Sequence, residues 1–158
     1  MRPAEMSLSH FPDDPSSHFS VLAFDFGTQR IGVAFGQSLS GTASAVTVLK
    51  ARDGQPRWNE MAQLVEQWRP DVFLVGLPYN IDGSVSELLG RAEKFARRLQ
   101  ERFDKPCYGM DERLSSREAI ERLVEANTSM PAKRAAIDHI AAQIILENWF
   151  NEIRVKRG

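Results

Sequence analysis

Cysteine is nearly missing from this chain of 158 residues. Cys107 stands alone, so no internal disulfide can form and a reducing compartment is expected. Long hydrophobic runs are missing too: none approaches the roughly 18–20 residues a bilayer-spanning helix requires. Nor does charge of one sign prevail, since 20 Lys and Arg face 21 Asp and Glu, a net charge of −1. That balance excludes a protein that coats nucleic acid by bulk charge, but not one with a local basic face. The opening MRPAEMSLSHFPDDPSSHFS lacks a continuous apolar stretch and carries the acidic pair Asp13-Asp14, unlike a secretory signal. There is no internal repeat. What is present is ordinary globular material, 42% hydrophobic and 26% charged, at the length of one domain. The expectation is a cytoplasmic protein without membrane contact. Residues 1–19 read as a flexible leader, 20–150 as the domain and 151–158 as a C-terminal tail.

Three strands open the domain. Apolar residues fill most of 20–26, Ile31, Val33 and Phe35 alternate with small residues over 31–37, and a third strand runs over 43–49. Two turns, Gly27–Arg30 and 38–42, join them as an antiparallel meander. The polar stretch Arg52–Pro56 leads into a different period. Met61, Leu64, Val65 and Trp68 fall at helical spacing, and Pro70 ends that helix. The run 71–76 is apolar on both faces, as a central parallel strand would be. Ser84 and Glu87 form a capping box before a helix with Val85, Leu88, Leu89, Ala92, Phe95, Ala96 and Leu99 inward. A fifth strand spans 105–110. Ser115 and Glu118 cap a short helix, and a final helix starts near Pro131. The order βββαβαβαα predicts an α/β fold: a mixed five-stranded sheet, strands 1–3 antiparallel and strands 4 and 5 parallel, with helices on both faces. That order matches a ribonuclease-H-like fold.

Ligands of open α/β sheets gather beyond the carboxyl ends of parallel strands. Asp25 interrupts the first strand, Asp111 and Glu112 follow the fifth, and Asp138 lies in the last helix just before Ala141 and Ala142. Each alone reads as a turn or surface acid; in this topology they converge. Carboxylates so gathered repel one another unless a hard divalent cation, Mg²⁺ or Mn²⁺, lies between them. Two such ions about 3.5–4 Å apart stabilise the entering and leaving oxygens of a phosphodiester displacement. Arg30, Arg113, Lys133 and Arg134 are the cations nearest this end, and Tyr79 and Asn80 occupy a neighbouring loop. Those six are the expected substrate contacts, with Tyr79 placed to stack on an unpaired base. Arg91, Lys94, Arg98 and Arg102 read as a solvated helix face, and Trp58, Trp68 and Trp149 as core. His139 projects about 100° from Asp138 and does not share its ligand.

Asp25-Phe26-Gly27-Thr28 also resembles the phosphate hairpin of sugar kinases and actin-like ATPases, but those close two such domains around a nucleotide and this chain supplies one. The Asp-Phe-Gly of protein kinases comes without a Gly-rich or His-Arg-Asp loop here. A more specific resemblance spans roughly 20–150. Ala23–Thr28 through Arg30–Ala34, Val75–Pro78, Asp82-Gly83, Asp111–Ser115 and Asp138–Leu146 occur in the order found in the YqgF/RuvX family. The resemblance implies a ribonuclease-H-like nuclease, related to Holliday-junction resolvases, that helps mature the 5′ end of pre-16S rRNA. It implies Asp25, Glu112 and Asp138 as catalytic metal-binding acids, with Asp111 as an adjacent candidate. Asp25 would bridge the ions, with Glu112 and Asp138 each completing one shell. The expected partners are pre-rRNA, with branched DNA as alternative, and ribosomal particles, for a monomer or homodimer. A third reading is a ribosome-assembly binding module without turnover.

Overall fold

Val21, Leu22, Ala23 and Phe24 are apolar in succession, so the strand they form must be covered on both faces, and all four are fully buried. The computed structural model describes residues 11–12, 18–78, 87–111 and 130–157, the last segment as backbone alone over 130–139 and 156–157. This strand, β1 (Ser20–Asp25), lies at the centre of the sheet. On one side it pairs antiparallel with β2 (Arg30–Gln37), which pairs antiparallel with β3 (Thr42–Arg52). On the other side it pairs parallel with β5 (Val72–Leu77), and β5 with β6 (Cys107–Asp111).

The sheet has six strands, β4-β3-β2-β1-β5-β6, rather than the expected five. The third strand runs on to Arg52, and the added strand β4 (Gln55–Pro56) returns against it, with Arg52 opposite Gln55 and Ala51 opposite Pro56. Asp53 (φ 51°) and Gly54 (φ 80°) make the turn. A two-residue Asp-Gly loop with both φ angles positive has the twist that suits a tight hairpin. Beyond this pair, the outer edge of Thr42–Lys50 has no neighbouring strand among the described residues. A bulge interrupts β3 on its inner side: Val33 pairs with Thr47 and Ala34 with Ala45, leaving Val46 as the extra residue.

Alternation along the strands separates two apolar layers. Leu22, Phe24, Ile31, Val33, Phe73, Val75 and Leu77 face helices α1 (Trp58–Trp68) and α2 (Glu87–Phe103). Leu89, Ala92, Phe95, Ala96 and Leu99 of α2 point inward, whereas Leu88, also expected inward, is 37% exposed in the first turn. Val21, Ala23, Val72, Leu74 and Met110 face the third helix, α3 (Met130–Arg157). That helix crosses β1, β2 and β3, and its close approach needs small residues. Ala141 and Ala142 are buried, and a Cβ on Gly36 would come within 3.0 Å of Leu146 and Phe150 side chains. Residues 151–157, read in the sequence as tail, are helical, and Ile153 joins the core. Phe19 meets Trp149 edge to face, and Phe11 packs against the same cluster. The short helix expected from Ser115 and the cap at Ser84 lie outside the described residues.

Candidate active site

Asp25 ends β1 and is 7% exposed, the only buried polar or charged side chain among the described residues. Strand alternation puts it with Val21 and Ala23 on the sheet face that α3 covers. Its partner on β2 is Gly32. One position beyond the Phe24–Val75 pair, the residue level with it on β5 is Gly76. With a glycine on either flank, neither neighbouring strand puts a side chain on that face beside the carboxylate. The following turn is tightly constrained. A Cβ on Gly27 would lie 2.4 Å from the Arg30 carbonyl oxygen, so only glycine fits there.

Asp111 ends β6, so both acids stand at the carboxyl end of the parallel strands, with β5 between them. Asp111 pairs with Leu77, however, whose side chain belongs to the α1/α2 layer. The pleat therefore turns Asp111 away from the face that Asp25 occupies. Asp138 lies on α3, seven residues before Ile145 and four before Ala142, which places position 138 on the helix stripe that approaches the sheet. Lys133 and Arg134 belong to the first turns of the same helix. The side chains of these three are outside the described set, as are Tyr79, Asn80, Glu112 and Arg113 entirely. Among the described residues no three His, Cys, Asp or Glu side chains gather into a metal-binding group.

Arg30 opens β2, exposed, two residues from Gly32 and so on the Asp25 face. Of the α2 cations read as a solvated face, Arg91 pairs with Glu87 at 3.1 Å, and the Arg102 guanidinium lies 4.3 Å over the Trp58 ring. Sequence reasoning passed over the β3–β4 hairpin and the extension of β3 into it, which sets Lys50 opposite Arg30 and Arg52 two residues farther out, opposite Gln55. The Asp53-Gly54 dipeptide was the signal that could have found it.

A sequence model of the family described as "RuvX: Holliday junction resolvase" matches residues 19–152. A Pseudomonas fluorescens (strain Pf0-1) protein named "Putative pre-16S rRNA nuclease" is 47% identical over 133 residues, covering 84% of this chain and 92% of its own. One of the same name from Acinetobacter baylyi is 42% identical over 137 residues, covering 87% and 93%. Among solved structures, Thermus thermophilus RuvC in complex with a Holliday junction superposes with a TM-score of 0.51. It is 13% identical and covers 88% of this chain and 96% of RuvC, a likeness of fold. No helix among the described residues is long and apolar enough to cross a membrane.

Proposed function

The chain belongs to the RuvX family, and from that membership we infer a nuclease, a hydrolase of phosphodiester bonds that acts in maturing the 5′ end of pre-16S rRNA in the cytoplasm. The observation that carries the reading is Asp25: a buried carboxylate at the end of a central strand, flanked by glycines on the α3 face. Its neighbours on that face, Val21, Ala23 and Met110, are apolar, and a carboxylate buried among them is a costly choice for packing alone.

The donor set fits Mg²⁺ or Mn²⁺, hard cations that take carboxylate oxygen. Asp25, Glu112 and Asp138 would hold them, two ions being our reading. Asp111 is the weaker candidate, because the pleat directs it to the other face. Bound there, the cations would supply Lewis acidity and a water activated near neutral pH. Asp25 itself fixes one side of the site, since its strand is held on both edges by β2 and β5. Tyr79, Asn80, Arg113, Lys133 and Arg134 are the proposed contacts to the nucleic acid beside it.

Asp25→Asn keeps the shape and removes the charge. We expect a normally folded protein whose Mg²⁺- or Mn²⁺-dependent cleavage of pre-16S rRNA fragments falls at least a hundredfold. Full activity in that variant, purified free of other nucleases, would overturn the assignment. The family description favours one alternative substrate, branched DNA. Symmetric cutting of a junction needs two copies of the site, so a strictly monomeric protein in light scattering would count strongly against it.

A further inference from the structure

The strand register extends the Asp25 face into a basic staircase. Asp25 is level with Gly32 of β2, and Gly32 with Val48 of β3. One step farther out, Arg30 pairs with Lys50. Two residues on, Arg52 pairs with Gln55 of β4. Positions 25, 30, 50 and 52 share one face, because paired residues and residues two apart project to the same side. Ile31, Leu49 and Ala51, between them in sequence, face the α1/α2 layer instead. Directly opposed residues stand about 5 Å apart, and residues two apart on a strand about 6.8 Å. Three cations thus climb away from the acid toward the β4 edge, each exposed. Among the described residues, neither Lys50 nor Arg52 has a carboxylate partner, and the acid nearest the top is Asp53 in the turn.

The staircase is fastened to the turn that follows Asp25. The Ala51 amide donates to the Gln29 carbonyl at 2.8 Å, and the Gly54 amide to the Thr28 carbonyl at 2.9 Å. Gly54 also lies so close under the Phe26 ring that a Cβ would come within 2.7 Å of it. Turn and hairpin are thus joined through the backbone, which holds the positions that carry the cations in a set relation to Asp25. Their ladder spacing suits a repeating anion, and in a chain of net charge −1 it is a local concentration of positive charge.

We propose that Lys50 and Arg52, continuing from Arg30, bind the phosphodiester backbone of a nucleic-acid strand as it runs from the Asp25 site toward the β4 edge. The staircase takes its place in the reaction from the nuclease reading, whereas its ligand chemistry rests on the register and the charges.

The test uses fluorescence anisotropy on the full chain without divalent ions, with a labelled 20-nucleotide single-stranded RNA and a labelled four-way DNA junction. Lys50→Ser/Arg52→Ser is compared with Lys94→Ser/Arg98→Ser, an equal charge change on α2 across the sheet. The first pair is expected to weaken RNA binding about tenfold at low salt. It should also flatten the dependence of log K on log salt by about 1.4, two phosphate contacts at about 0.7 each for a single strand. The α2 pair should change neither. Lys50→Arg/Arg52→Lys should bind as wild type, which separates charge from any effect on folding. Loss with both probes, or with one alone, supports the staircase and identifies which nucleic acid it holds. Unchanged affinity and slope, equal loss in the α2 pair, or no binding of either probe by wild type overturns it. Cleavage by Asp25→Asn judges the nuclease reading separately. An inactive Asp25→Asn beside an unaltered Lys50→Ser/Arg52→Ser would sink the staircase alone.

Discussion

At the scale of single residues, two positions show chemistry dictated by surroundings. The Cys107 thiol is buried and its ionisation pushed well up by desolvation, so the chain's single cysteine is inert packing rather than a nucleophile. Gly54 is the opposite case, a residue chosen for what it lacks. Its φ of 80° and its place against Phe26 both exclude a side chain. Gly54→Ala is therefore expected to cost about 1–3 kcal/mol, combining left-handed strain with overpacking. Chemical denaturation would register it as a lower midpoint at unchanged slope. Asp25 was legible in the sequence because it breaks an apolar run. Its two glycine neighbours were not, since they lie seven and fifty-one residues away in the chain and only strand pairing unites them.

At the scale of elements, the periodic segments were readable and the short ones were not. Met61 and Val65 of α1 and Leu89, Ala92, Phe95, Ala96 and Leu99 of α2 announce themselves by spacing, and they are buried as expected, with Leu88 the exception. β4 has two residues, too few for any period, and only its turn dipeptide betrays it. The end of α3 escaped for a different reason. Ile153 stands among Asn151, Glu152 and Arg154, which read as a solvated tail, yet the stripe through Ile145, Trp149 and Ile153 continues at helical intervals. Ile153→Ala should accordingly behave as a core truncation, destabilising by about 2–5 kcal/mol in equilibrium denaturation. A loss under 0.5 kcal/mol would show the helix end to be dispensable.

At the scale of the whole molecule, one sheet serves two apolar layers, and β1 contributes to both. Neither layer can be lost while the other stays intact, so the domain should unfold in one transition. Trp58 and Trp68 report from one side and Trp149 from the other. Trp149→Phe would leave fluorescence reporting the α1/α2 layer, and its curve should superpose on that from far-UV circular dichroism in the same variant; separated midpoints would refute shared cooperativity. The bulge at Val46 acts at this scale too. β3 presents nine residues of outer edge, with no charge between Ala43 and Leu49, the kind of ribbon on which neighbouring molecules stack into aggregates. One surplus residue kinks that ribbon out of register with any straight strand, and Lys50 closes its end. A defect in the ladder is thus a guard on solubility for an edge that, among the described residues, no other strand covers.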